Sequence, residues 1–317
     1  MEVIDILPGL DEAPFATARG ASQLRAASRQ GDLQTTRSIV ENWDGSYGRA
    51  FFAPAIREAV DNRHLETLHY LLSHGPPIKI WPIQRAIDAG LPETLGVLMK
   101  HGWDINEILG QDKTSALGYV HIHNPSVTDS SELSLSYSLH DRVLTRWLLD
   151  NGADPNAGND EYLTVMSLAA LWAQVSTLQM LLVSGGDVQR GQVLHWAVQR
   201  SDGTEDEIVK LLLSYGAPLN RLDYDGKPPQ WYALSCKGLG TPLHEAAWAG
   251  KSNLIAILIE HGADATIKDI LGRTPADIAR EQGHEYATQL LEYTYLTAKT
   301  SAAVCTRDTK GSRASSV

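Results

Sequence analysis

Eleven histidines in 317 residues invite a search for metal or acid–base chemistry. His121-Ile122-His123 with Asp129 and His140 can be drawn as a metal-ligand set, since imidazole and carboxylate both hold divalent ions. Part of that set falls in a Ser/Asp/Pro-rich stretch that reads as a flexible loop. The chain has no H-E-x-x-H, no cysteine pair at metal spacing, no G-x-S-x-G and no phosphate-binding G-x-x-x-x-G-K. Asp104, Asp154, Asp187 and Asp264 each stand two residues after a glycine. Turn formation explains all four, and about a repeat of chain between them is too far for acid–base pairing. His74, His101 and His261 each precede a glycine that would end a helix, where the helix dipole favours a cation. The reading is a chain that is not an enzyme, with no catalytic, cofactor or metal residues and no cofactor.

The elements that would position these groups are set by glycine spacing. Helix-stop glycines recur as Gly75, Gly102, Gly152, Gly185, Gly216 and Gly262, at intervals of 27, 50, 33, 31 and 46. A repeat of about 33 residues with insertions and deletions accounts for them. Twelve residues before two of these stops stand Gly90 and Gly250, read as the turn inside a helix pair; Gly283 follows Gly250 by 33, and Gly31 marks a degraded first repeat. First helices align over Pro54–Ala59, Trp81–Ala86, Thr164–Ala169, Val193–Ala197, Thr241–Ala246 and Thr274–Ala279. A threonine before the helix caps it, and proline tolerates the first turn. Second helices carry apolar stripes at spacings of three and four, as in Leu68-Leu71-Leu72 and Leu178-Leu181-Leu182. His195 and His244, three residues into their helices, are expected to make helix-start hydrogen bonds.

The bulk numbers remove whole classes of function. A net charge of −11 argues against direct nucleic-acid binding, which needs basic patches. No stretch reaches the roughly 18 apolar residues of a membrane span, and Met1–Asp5 opens on acids without a secretory leader. Cys236 and Cys305 lie far apart and read as reduced thiols. Together these place the chain in the cytoplasm or nucleus. Residues 298–317, rich in Ser, Thr and Ala, are expected to be disordered, and residues 1–19 to form an N-terminal cap or flexible segment.

Two insertions interrupt the register, near 124–140 and 225–240. The first, rich in Ser, Asp and Pro, is expected between helices, as a solvated loop or a phosphorylation segment. The second holds Pro228-Pro229-Gln230-Trp231-Tyr232. A stiff Pro-Pro pair beside two large aromatics suits a binding hot spot; equally, Trp231 and Tyr232 could fold back as a local core.

Thr241-Pro242-Leu243-His244-Glu245-Ala246, followed by His261-Gly262-Ala263-Asp264, resembles the ankyrin repeat, whose consensus reads T-P-L-H-x-A. The resemblance covers residues 20–297, as about eight repeats of divergent, fungal type. It implies an all-α fold, a solenoid of stacked helix-turn-helix units with short β-finger loops. It also implies protein–protein recognition through fingers and concave helix faces, without a cofactor. In that family the position after the motif histidine tends to face the concave groove, which here presents Glu58, Arg85, Trp196 and Glu245 beside Trp231 and Tyr232. The expected role is a monomeric regulatory adaptor or transcription coregulator acting through a partner protein. The alternatives are an inhibitor or substrate-presenting scaffold for a single enzyme, and an atypical enzyme using the groove.

Overall fold

Helix ends carry the architecture. The computed structural model describes residues 20–45, 51–109, 115–118, 120–122, 135–157, 164–223 and 239–296. Gly102, Gly152, Gly185, Gly216 and Gly262 have φ between 80° and 96°, a left-handed region that a side chain enters only with strain. The residue after each donates its N–H five residues back, as Ala153 does to Leu148 and Ala263 to Leu258, both at 2.9 Å. These bonds satisfy carbonyls that the helix end would otherwise orphan.

Gly75 also stops its helix but differs from these in geometry. Its φ of −88° and ψ of −167° are extended. The next residue, Pro76, has no N–H to donate back and pushes its predecessor toward extended backbone. Glycine is still required there for room, because a Cβ would lie 2.6 Å from the Leu71 carbonyl oxygen. Inside the helix pairs, Gly31, Gly90, Gly250 and Gly283 stand at the expected turns, with φ in the left-handed region. Arg63 holds the equivalent place with φ 59°, the one positive-φ residue other than glycine among the described residues.

The chain forms two compact units, Met1–Ala157 and Gly158–Val317. In the first, α1 (Ala21–Gln30), α3 (Ala53–Asp61) and α5 (Ile80–Asp88) pack side by side as one row. Behind them α2 (Leu33–Glu41), α4 (Leu65–His74), α6 (Pro92–Lys100) and α7 (Arg142–Asp150) form a second row. In the second unit α8 (Val165–Trp172), α10 (Val193–Gln199), α12 (Pro242–Trp248) and α14 (Pro275–Glu281) form the front row. There α9 (Val175–Val183), α11 (Glu205–Ser214) and α13 (Ser252–Glu260) stand behind, and a last helix, α15, spans 285–296. Front-row helices approach closely because alanine faces the neighbour: Ala59, Ala86, Ala169, Ala197, Ala246 and Ala279 are fully buried. The second-helix stripes are buried at their first two positions, while Leu149, Leu213 and Ile259 are half-buried.

The first insertion differs from the sequence expectation. It does not lie between two helices but splits the front-row segment paired with α7. Ala116–Gly118 starts as a single 3₁₀ turn, then β1 (Val120–Ile122) pairs antiparallel with β2 (Leu135–Tyr137), and a second 3₁₀ turn covers Ser138–His140. Gly118 is a poor helix former and Val120 and Ile122 are β-branched, so a strand wins where a helix would continue. The two 3₁₀ turns pack on each other and on α7, burying Leu117 and Leu139. His121 lies in β1; His123 and Asp129 fall outside the described residues.

Neighbouring pairs are joined by polar clamps. Asn106 donates to the Gly152 carbonyl at 3.1 Å and accepts from the Asp154 N–H at 2.8 Å. Asn220 accepts from Asp264 N–H, and Gln189 donates to the Gly216 carbonyl. His64 donates from Nε2 to the Arg29 carbonyl while its ring covers Gly31, and His284 does the same with Trp248 and Gly250. Asp104, Asp154, Asp187 and Asp264 each accept an N–H two residues on, the turn bonds expected from sequence.

Candidate functional site

The front-row face of the first unit is a ladder of ion pairs. Glu58 sits on α3 at the position after the motif-histidine site. Its carboxylate is buried, and it accepts from Arg25 Nε at 2.7 Å and Arg29 Nε at 2.9 Å, both on α1. Burial pushes the Glu58 pKa up, but the two guanidiniums more than offset it and hold the group ionised below its usual range. One turn further along α3, Asp61 accepts from Arg85 Nε at 2.6 Å. Arg57 lies over the Trp81 ring, 5.3 Å from its centroid. Arg85 is thus exposed with its charge partnered, while Glu58 points into the stack between α1 and α3.

In the second unit the same helical position holds Trp196 on α10 and Glu245 on α12. Trp196 is half-buried, with its indole N–H enclosed and lacking a hydrogen-bond partner. Glu245 is buried at 6% exposure. Trp103, which stands where alanine is usual in this register, is buried in the core of the first unit.

The motif histidines tie one pair to the next. His244 Nδ1 accepts from the Thr241 N–H at 3.0 Å, which caps α12. Its Nε2 then donates to the Arg273 carbonyl at 3.2 Å, one repeat further on. His195 donates from Nε2 to the Gly240 carbonyl at 3.1 Å. It takes no part in capping, for the N–H of Gln192, the N-cap of α10, donates to Ser167 Oγ at 3.2 Å instead. The expected helix-start role therefore holds for His244, and His195 keeps only the forward bond. Burial lowers the His195 pKa to about 4, and burial also lowers that of His244. Both rings are neutral at pH 7. In α14 the third helical residue is Asp277, which accepts from the Thr274 N–H at 2.9 Å in the same cap but has no second nitrogen to reach forward.

The segment from Ala263 to Thr274 makes a finger between α13 and α14. Asp269 organises its tip: its N–H donates to the Arg273 carbonyl at 2.9 Å, and its Oδ1 accepts from the Leu271 and Arg273 N–H groups. Arg273 closes the base through Nε to Asp269 at 2.9 Å and Nη1 to Glu281 at 2.9 Å. The tip presents Ile270 and Leu271 to solvent, 45% and 58% exposed. The preceding finger leaves the described residues after Asp223 and returns at Leu239. Its two ends meet where the Asp223 N–H donates to the Gly240 carbonyl at 2.7 Å. Trp231 and Tyr232 lie in between, outside the described residues.

Family models of ankyrin repeats match residues 135–223 (three copies) and 234–279 (many copies). The chain is an ankyrin-repeat protein. Residues 234–279 take in the Thr241–Ala246 run, α13 and the whole Asp269 finger, so the best-built ankyrin repeat is also the one with the apolar tip. Among curated proteins, the ankyrin-repeat chain is similar to the ARF GTPase-activating protein GIT1 of Homo sapiens, with 48% identity over 56 residues, 17% of this chain and 7% of that protein. It is 34% identical over 89 residues to the potassium channel AKT1 of Oryza sativa subsp. indica, 28% of this chain and 8% of the channel. It is 26% identical over 176 residues to a transient receptor potential cation channel subfamily A member 1 homolog of Caenorhabditis elegans, 52% of this chain and 13% of the other. The chain thus spans less than a tenth of the first curated relatives it matches. Ankyrin repeats indicate a protein–protein interaction module. No described helix is long and apolar enough to cross a membrane.

Sequence reasoning missed the Ile270–Leu271 tip. The signal was present: an apolar pair between Asp269 and Gly272, the two residues that shape the turn. It also missed Arg200, buried and donating to the Ala170 carbonyl at 3.1 Å and to Asp202 at 2.5 Å. Lys251 crosses to the same helix end, donating to the Val198 carbonyl at 2.9 Å and to the Arg200 carbonyl.

Proposed function

We propose that this ankyrin-repeat protein is a non-enzymatic adaptor that holds a partner protein against its fingers and front-row helix faces. The observation that carries the reading is the Ile270–Leu271 tip. A turn closed by the Asp269 and Arg273 bonds offers two apolar side chains to water, and apolar anchors on preorganised backbone suit binding better than stability. Trp196, with its enclosed, unpartnered indole N–H, and Arg85 are the further contact residues, together with the Trp231–Tyr232 pair. Glu58 and Glu245 are buried and are not contact residues in this reading; in the first unit Glu58 fixes α1 to α3 through Arg25 and Arg29.

The acidic balance of the chain leaves nucleic-acid contact to the partner, which fits a regulatory adaptor or transcription coregulator, monomeric and located in the cytoplasm or nucleus. The test is affinity capture with the wild-type chain, an I270D/L271D variant and a W231A/Y232A variant, each checked by thermal unfolding. Loss of the same captured protein from a variant that unfolds like wild type supports the contact surface. Capture that is identical for all three chains overturns it. A single captured enzyme whose activity changes on binding would favour an inhibitor or substrate-presenting scaffold.

A further inference from the structure

The back row of the first unit brings two imidazoles together. His69 projects from α4, and His101 caps the C-terminal end of α6. His101 Nε2 and His69 Nδ1 are 2.8 Å apart, and the ring centroids are 4.6 Å apart at an interplanar angle of 59°. As it stands this is one N–H···N hydrogen bond, with one nitrogen acting as acceptor. His69 is exposed and His101 half-buried.

We propose that His69 Nδ1 and His101 Nε2 form a two-histidine site for a borderline divalent transition metal such as Zn(II) or Cu(II), completed by water. Imidazole nitrogen is a preferred ligand of both ions. With metal–nitrogen bonds of about 2.0–2.1 Å, two ligand nitrogens at angles between square and tetrahedral stand about 2.9–3.4 Å apart. The observed 2.8 Å needs an opening of a few tenths of an ångström, which the exposed His69 ring can supply. Metal binding would replace the shared proton, which passes through solvent to the far nitrogen of the donor ring; each neutral ring then ligates with its bare nitrogen and keeps its one N–H on the other. Nearby His74 is turned away: its Nδ1 donates to the Tyr70 carbonyl at 2.9 Å. Among the described residues no group of three or more His, Cys, Asp or Glu is placed to hold a metal, so the site rests on these two ligands. Because the ligands come from helices of neighbouring repeats, an ion there would staple α4 to α6.

Zinc chloride titrated calorimetrically into the full chain at pH 7.5 tests this, alongside H69A, H101A and, as a control for other surface histidines, H74A. The expected result is one equivalent bound by wild type and H74A and lost from H69A and H101A. A rise in thermal midpoint of about 2–5 °C at saturating zinc should disappear with it. As a second readout, one equivalent of Cu(II) should show coupling to two imidazole nitrogens in its paramagnetic resonance spectrum, falling to one in either single variant. Absence of zinc binding by wild type, or an unchanged stoichiometry in H69A and H101A, overturns the proposal.

Discussion

His195 Nε2 donates to the Gly240 carbonyl across 45 residues of sequence, a bond that fixes a proton on Nε2 of the buried ring. Burial sets its pKa at about 4 in the folded chain, against about 6.5 in an unfolded one. Between those values the unfolded chain takes up a proton that the folded chain refuses. Stability therefore falls as pH drops from 6.5 towards 4, by at most about 3 kcal/mol from this group. His244 acts with the same sign. Urea midpoints at pH 7.5, 6 and 5 should decline, and His195→Gln should be weaker at pH 7.5 but decline less. An unchanged slope in H195Q would remove His195 as the titrating group.

Arg63 is held at φ 59° where its counterparts are glycine. A left-handed residue with a Cβ costs about 1–2 kcal/mol, part of which glycine's freedom in the unfolded chain returns. Arg63→Gly should raise stability by about 0.5–1 kcal/mol, whereas Arg63→Ala should give no gain. Thermal unfolding of the three chains decides it.

Gly75 and Gly262 both stop helices but for different reasons. A Cβ at Gly75 strikes the Leu71 carbonyl, while one at Gly262 meets open space and is opposed only by its φ of 96°. Alanine at Gly75 should cost about 1–3 kcal/mol through crowding, and alanine at Gly262 about 1–2 kcal/mol through strain. Asparagine, which tolerates the left-handed region, should recover much of the loss at position 262 and none at 75. Chemical denaturation of the four variants separates the two causes.

Glu58 holds two arginines of α1 with a buried carboxylate. Glu58→Gln should destabilise the first unit by about 1–2 kcal/mol, a reduced figure because Arg25 and Arg29 are 42% and 65% exposed. The Glu58 pKa lies below its usual value of about 4.5, so its contribution is present above that pH and lost as pH falls through the folded value. The gap between wild type and E58Q should therefore be full at pH 6–7 and narrow on further acidification below pH 4.5, as read by denaturant titration.

The helix stops, the alanine row and the Asp turns were legible because each depends on residues close in sequence. Gly75 was legible as a helix stop, but its extended geometry is decided by Pro76. Glu58 was placed on the correct helical face, but a face does not tell what the neighbouring helix brings to it; here that is Arg25 and Arg29, 33 and 29 residues away. The split front-row segment before α7 was read as a loop between helices because Ala116-Leu117-Gly118 begins like a helix and the change to strand follows only at Val120. His64, Asn106 and Lys251 left no local trace, since each acts on a carbonyl of another repeat.

Both interruptions of the repeat are closed at the neck: Val120 pairs with Tyr137, and Asp223 bonds to Gly240, whose carbonyl also receives His195. A loop whose ends are already joined costs only a logarithm of its length. Such a neck works like a socket. Evolution or an engineer can exchange what is plugged between residues 223 and 240 without renegotiating the helices, because the bond at the neck does not depend on the segment beyond it.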